Sequence, residues 1–453
     1  MMTDVDIRAG RLPSDDLARN FSDLHPVLTD HEAAVEAGRC LFCYDAPCMQ
    51  ACPTSIDVPL FIRQISTGNR VGAARTILDA NALGAMCARV CPTETLCEEA
   101  CVRNAGESKP IEIGRLQRYA TDAVVPTGRQ IFRRAAPTGR RVAVVGAGPA
   151  GLSCAHGLAR AGHDVVIYDA RPKAGGLNEY GIAAYKAAGG IAEQEVAWLL
   201  AIGGIEIRAG IALGRDVSLD ALLADHDAVF LGMGLQGINA LGLGGETAGV
   251  RDAVDFIADL RQAQADGRLD GVATGRRVIV IGGGMTAVDA AIQSKKLGAD
   301  EVTIVYRRGA EAMNASVYEQ ELAQLNGVTI RHWARPAALE SDQGRLVGVR
   351  FEETASRDGR LVDAGRSFRL EADLLLTAIG QTFVAAPLTG ALELENGRIK
   401  VDEIRATSLP RVWAGGDCVA GGEDLTVVAV EDGKIAARAI DAAFAAASRV
   451  AAE

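Results

Sequence analysis

Eight of the chain's ten cysteines fall between Cys40 and Cys101. Cys40, Cys43, Cys48 and Cys52 form one group and Cys87, Cys91, Cys97 and Cys101 the other, with a proline after Cys52 and after Cys91. A fold that contains this stretch must bring thiolates from several backbone points onto a shared centre, and such soft, anionic ligand sets belong to electron-carrying iron–sulfur clusters. The opening residues, MMTDVDIRAGRLPSDD, are charged and lack the apolar stretch of a secretory signal. So many thiols without an export signal imply a reducing compartment, the cytoplasm, where metal ligation prevails over disulfides. The 47 basic and 58 acidic residues, net −11, are spread along the chain and argue against a nucleic-acid partner.

Short spacings let Cys40, Cys43 and Cys48 cup one cluster. In two-cluster proteins a terminal Cys-Pro, the form found at Cys52 and Cys91, ligates the neighbouring cluster. Exchange of this kind places Cys101 on the first cluster and Cys52, Cys91 and Cys97 on the second, with Cys87 the eighth ligand on softness alone. Structural zinc would favour paired C-x2-C units, and only Cys40 and Cys43 form one. Cys154 and Cys418 lie elsewhere and read as buried, inert thiols.

From Val142 onward, short β-branched strands alternate with glycine turns and alanine-rich helices, the βαβ pattern of parallel sheets. RRVAVVGAGPAGLSCAHGLARAGHDVVIYDAR reads strand, turn, helix, strand, with Gly146, Gly148 and Gly151 in G-x-G-x-x-G spacing. The first glycine allows the turn, the second lets a pyrophosphate approach, and the third lets helix and sheet pack closely; Asp169 then offers a carboxylate to a ribose. RRVIVIGGGMTAVDAAIQSKKLGADEVTIVYRR repeats the pattern with Gly282, Gly284 and Ala287, but ends in Tyr306-Arg307-Arg308. Guanidinium groups there favour a ribose 2′-phosphate and hence NADPH, although ordinary surface exposure accounts for them equally. Two dinucleotide folds in one chain point to a flavin and a nicotinamide. Near the C-terminus a strand, Gly416-Asp417 and a helix can return to the first sheet and complete its site. The second fold is then an insertion between LGMG at 231–234 and TAIGQ at 377–381.

The expected domains are a helical iron–sulfur domain at 1–122, an exposed linker at 123–139, an FAD domain from 140–235 and 375–453, and an NAD(P)H domain at 236–374. Asp57-Val58-Pro59 should open a helix. The uncharged runs 142–159 and 374–392 approach membrane-span length but are broken by glycines, so they read as buried strand-turn-helix segments. GGLNEYGIAAYK, which follows the first fold, lacks a reactive cysteine pair, against a disulfide reductase. The six histidines show no metal-ligand spacing, and no catalytic acid or base for an organic substrate is assigned.

CLFCYDAPCMQACPTSIDVPLFIRQIS, NALGAMCARVCPTETLCEEAC and IEIGRLQRYATD resemble the N-terminal region of dihydropyrimidine dehydrogenase. The same order of iron–sulfur region, FAD fold and inserted nicotinamide fold occurs in the small subunit of glutamate synthase. GGGMTAVDAAIQSKKLGADEVTIVYRRGAEAMNAS is most similar to the bacterial two-subunit NAD-dependent dihydropyrimidine dehydrogenases. The resemblance runs from about Cys40 to the C-terminus. It implies one [4Fe-4S] cluster on Cys40, Cys43, Cys48 and Cys101, another on Cys52, Cys91, Cys97 and Gln117, and a spare thiol at Cys87. It places FAD at the Gly146 turn, Gly176 and Gly416-Asp417, with Leu425, Thr426 and Val427 near the flavin ring. The nicotinamide falls on Gly282, Gly284, Met285, Thr286 and Ala287. NADH, from the resemblance, and NADPH, from Arg307 and Arg308, both stay open. Once these parts are placed, nothing near the ~250 residues of an FMN-binding barrel remains.

The expected fold is therefore α/β: an N-terminal α-helical double [4Fe-4S] domain followed by FAD-binding and inserted NAD(P)-binding Rossmann-like domains. The implied role is an electron-input subunit that serves an FMN- and iron–sulfur-containing large subunit, where uracil or thymine is reduced. A glutamate synthase small subunit, whose partner is a glutamine amidotransferase, and a stand-alone diaphorase are the rivals.

Overall fold

The computed structural model describes residues 6–243, 247–388 and 390–450. They divide into two compact units: one comprises His25–Glu179, Gly189–Gly237 and the chain from Phe383 onward, the other the residues up to Leu24 together with Tyr180–Ala188 and Ile238–Thr382.

The first unit begins with short helices. Asp57 caps the helix Val58–Ser66 by accepting from Leu60 N at 3.0 Å, and Pro59 sits in the first turn, where its missing N–H costs nothing. Arg70–Ala80 is capped in the same way by Asn69, and Gly84–Val90 and Ile113–Thr121 follow. The stretch read as an exposed linker needs correction, because it buries Val124, Val125, Ile131 and Phe132. Phe132 stands edge-on to His156 and Trp198, with ring centroids 6.1 Å away in each case. Trp198 Nε1 donates to Arg129 O at 2.9 Å. Prolines, glycines and arginines dominate this stretch and mask the few apolar residues that pin it.

A five-stranded parallel sheet comes next, in the order Val412–Ala414, Ala228–Leu231, Arg141–Val145, Asp164–Asp169, Ile205–Ala209. The C-terminal strand does return to this sheet. The helix Thr426–Val450 then packs on Pro149–Arg160 at backbone contact: a Cβ on Gly433 would lie 2.1 Å from Ala150 O, and one on Gly157 2.8 Å from Ala437 Cβ.

The second unit has its own parallel sheet, ordered Val250–Asp252, Leu374–Thr377, Arg277–Ile281, Glu301–Val305, Thr329–Arg331. Before Leu374 the chain makes an antiparallel meander, Ala334–Asp342, Arg345–Arg357 and Arg360–Glu371. Sequence reading missed it because its strands are rich in charge and bury only alternate residues such as Val349 and Phe351. Leu17 and Phe21, expected with the cysteines, and Ala183 to Tyr185, expected with the first fold, share one apolar cluster with the helix Met285–Lys296. Run 142–159 is strand, turn and helix, and no helix among the described residues is long and apolar enough to cross a membrane.

Candidate functional site

Cys40, Cys43, Cys48 and Cys101 line one cavity of about 380 Å³, counting its open mouth, together with Leu41, Pro47, Ile62 and Ile113. The loop that carries the first three is held in costly geometry: Phe42 and Ala46 adopt left-handed backbone, φ 52° and 37°. Phe42 N aims its hydrogen at Cys40 Sγ, 3.5 Å away. Burial raises the Cys48 thiol to about 11, reinforced by Cys40 and Cys101. The thiols thus oppose one another's ionisation, a conflict that a bound cation centre relieves. They stand around a space rather than a point, and among the described residues no three His, Cys, Asp or Glu side chains gather as on a single ion. A cluster, which offers a separate iron to each sulfur, fits that arrangement.

The second group is Cys52, Cys87, Cys91 and Cys97. Cys91 is raised first by a hydrogen bond with Cys87, then by burial and by Cys97 and Cys52; Cys97 is raised by burial and then by Glu98 and Cys52. Gln117 is buried on the neighbouring helix Ile113–Thr121. Its Nε2 donates to Gly84 O at 2.8 Å, which fixes the amide and leaves Oε1 with no hydrogen bond among the described contacts. An oriented carbonyl oxygen next to the helix Gly84–Val90 is chemically able to act as a ligand, whereas Cys87 is engaged with Cys91.

At the first glycine turn, Gly146 holds φ 99°, and a Cβ there would lie 2.2 Å from Gly232 O; one on Gly151 would lie 1.9 Å from Gly146 O. Gly148 opens the helix Pro149–Arg160 with no side-chain cap, which leaves the N–H groups of its first turn without a capping side chain and suited to a pyrophosphate. Asp169 takes a structural share as well: its carboxylate accepts from Ala147 N at 2.6 Å and Arg171 N at 2.7 Å. Gly176 is brought to the turn, since a Cβ on it would stand 2.7 Å from Gly148 Cα. A Cβ on Gly416 would lie 3.0 Å from Ala150 Cβ, and burial raises the next residue, Asp417, to about 6. Thr426 Oγ1, between Leu425 and buried Val427, bonds Asn178 Oδ1 at 2.9 Å. Sequence reading missed Asn178, and Asp432, which accepts from Gly416 N at 2.8 Å. The only available signal was Gly433, a glycine inside a helix.

The second turn repeats this geometry. A Cβ on Gly282 would meet Ala378 O at 2.3 Å, whereas at Gly284 there is open space before the uncapped helix Met285–Lys296. Met285 and Thr286 form its first turn, and Ala287 is fully buried against the sheet. Tyr306 covers Gly283 and ties its hydroxyl to Ala312 O at 2.6 Å. Arg307 and Arg308 are exposed, without an ion-pair partner among the described residues, while their carbonyls are held by Thr354 Oγ1 at 2.7 Å and Trp333 N at 3.2 Å. Nothing signalled the buried Lys186, which pairs with Asp289 at 2.8 Å and Glu319 at 2.7 Å behind this helix.

Two dinucleotide turns with uncapped helix starts and a thiol-lined cavity define the class: an iron–sulfur protein with two dinucleotide-binding folds. Residues 17–128 match the family described as dihydropyrimidine dehydrogenase domain II, 4Fe-4S cluster, and residues 140–433 match the pyridine nucleotide-disulphide oxidoreductases. The chain is 39% identical over 425 residues to the NAD-dependent dihydropyrimidine dehydrogenase subunit PreT of Salmonella typhimurium, covering 93% of this chain and 97% of that protein. Against the glutamate synthase [NADPH] small chain of Escherichia coli it is 35% identical, covering 93% of each. Mycobacterium tuberculosis FprA in complex with NADPH shares the fold, with a TM-score of 0.58 at 18% identity over 69% of this chain and 86% of that one. The chain belongs to the family of these PreT subunits, within the pyridine nucleotide-disulphide oxidoreductases. It is an NAD(P)H-dependent oxidoreductase of the FAD and 4Fe-4S type. Family members are named as subunits of larger enzymes.

Proposed function

We propose that this chain is the electron-input subunit of a dihydropyrimidine dehydrogenase, serving an FMN- and iron–sulfur-containing partner that converts uracil and thymine to their 5,6-dihydro forms. The observation that carries the reading is the 39% identity, over nearly the full length of both chains, to a subunit of that name. Bound FAD and [4Fe-4S] clusters would supply the passage from a two-electron donor to single electrons. The chain's own residues bind and orient. Gly146, Gly148, Gly151 and Gly176, with Asp169, Gly416, Asp417, Leu425, Thr426 and Val427, would hold FAD. Gly282, Gly284, Met285, Thr286 and Ala287 would hold the nicotinamide dinucleotide, and Arg307 and Arg308 present free guanidinium groups for a 2′-phosphate. Cys40, Cys43, Cys48 and Cys101 would carry one cluster, and Cys52, Cys91, Cys97 and Gln117 the other. On this reading the iron–sulfur domain lies within about 25–122, the FAD domain within 140–179, 189–237 and 383–453, and the NAD(P)H domain within 238–382, joined by residues up to 24 and 180–188.

The anaerobically purified chain should reduce artificial dyes with NADH or NADPH and leave uracil untouched until the partner is added. Uracil turnover by the chain alone would end this division of labour. The 35% identity to a glutamate synthase small chain supports a second reading, in which the partner is a glutamine amidotransferase. Copurification separates the two: glutamate formed from 2-oxoglutarate and glutamine by the native complex would favour the second.

A further inference from the structure

Two ionisable side chains of the first dinucleotide fold reach into the cysteine region, and both grip backbone beside the second thiol group. Glu195, on the helix Ile191–Leu200, is fully buried. Its Oε1 accepts from Ala85 N at 2.7 Å and its Oε2 from Met86 N at 3.2 Å. These are opening N–H groups of the helix Gly84–Val90, which has no side-chain cap of its own. That helix carries Cys87 and leads into Cys91, and the carbonyl of its first residue, Gly84, orients the Gln117 amide. Lys434, on the helix Thr426–Val450, donates to Thr54 O and Ala80 O, 3.0 Å each, and Thr54 Oγ1 lies 3.4 Å from Cys52 Sγ. Asp432, in the same turn as Lys434, holds Gly416 N. One turn of helix therefore fixes both a glycine of the flavin side and the backbone next to a cysteine ligand. The walls of the first cavity, by contrast, come from the cysteine region alone.

We propose that Glu195 and Lys434 are positioning residues for the second cluster. The carboxyl group of Glu195 sets the helix that presents Cys91 and orients Gln117, and the ammonium of Lys434 sets the loop that presents Cys52. Neither touches a ligand atom; each acts through a main-chain group. Burial raises the Glu195 carboxyl to about 8 against the pull of its two N–H donors, so the group is held there at a cost that the geometry must offset. The inference rests on the reading of Cys52, Cys91, Cys97 and Gln117 as one ligand set.

The test compares E195A, E195Q, K434M and Q117A in the full anaerobic chain, by Mössbauer and EPR spectra, potentiometric titration and iron content. In E195A and K434M the second cluster should change its spectrum and shift its midpoint by about 59 mV, a tenfold change in reduced-to-oxidised ratio for one electron. At the extreme it is lost, with about four irons per chain. The first cluster should keep its wild-type spectrum and midpoint. E195Q, which retains one acceptor oxygen, should return part of the way. Unchanged spectra in both E195A and K434M overturn the proposal, as does equal loss of both clusters, which marks a general folding role. If E195A fails to fold, E195Q and K434M carry the comparison. Q117A isolates the underlying reading: an undisturbed second cluster there removes Gln117 from the ligand set, yet a disturbance in E195A and K434M still supports the positioning role. A disturbed Q117A beside unchanged E195A and K434M keeps the ligand and rejects the positioning.

Discussion

His156 shows how one residue's surroundings set a pH response. It is enclosed by Phe132 and Trp198, its Nε2 lacks a partner, and burial holds the imidazole down at about 3 from an ordinary 6.5. The unfolded chain takes up a proton near 6.5 and the folded chain does not, so stability present above 6.5 drains away as the pH falls toward 3. H156F fills the same aromatic cage without a titrating ring. Its denaturation midpoint should fall less between those pH values than that of wild type, and parallel urea curves for the two proteins would refute the assignment. Gln117 and Cys87 make a second contrast. C87S should keep two clusters' worth of iron and Q117L should not, because Gln117 Oε1 is oriented and takes no hydrogen bond among the described contacts, while Cys87 is bonded to Cys91. Iron content and Mössbauer spectra decide it. The thiols were legible from spacing, whereas the choice between Cys87 and Gln117 was not: softness pointed to the sulfur and the family resemblance to the amide, and the hydrogen bonds of each side chain are a matter of packing.

Among the elements, the helices Pro149–Arg160 and Thr426–Val450 meet at Gly157 and Gly433 with backbones nearly touching. In G433A the new methyl would lie 2.1 Å from Ala150 O, directly behind the pyrophosphate turn, and must push the C-terminal helix away. The purified variant should carry much less flavin, read from its absorbance; full flavin content would show that the helix pair relaxes harmlessly. In the other unit, Tyr180–Ala188 is fastened by Lys186, whose charge Asp289 and Glu319 hold in place against burial. K186M leaves two buried carboxylates without their cation, at a cost of about 3–5 kcal/mol. Urea unfolding followed by Trp333 fluorescence should show that unit weakened, and an unshifted midpoint would contradict a structural role for the pair. Strand–turn–helix order was readable from glycine spacing and β-branched runs. The antiparallel meander was not, since half-exposed strands with many charges carry little hydrophobic period.

For the whole molecule, the apolar clusters on the two sheets include none of the thiols from Cys40 to Cys101. Oxidative loss of the clusters should therefore spare NAD(P)H-driven dye reduction at the flavin while abolishing electron delivery to the partner. If dye reduction were lost in step with iron, the clusters would be structurally inseparable from the flavin site. The chemistry was legible along the chain: thiolate spacing, two glycine turns and a returning Gly-Asp element are local patterns, and local patterns are set by neighbours in sequence. Which side chains hold those patterns in register emerges from long-range packing. Glu195 reaches Ala85, Lys434 reaches Thr54 and Lys186 reaches Asp289 across long stretches of chain, and each looks like an ordinary surface charge until folding removes it from water.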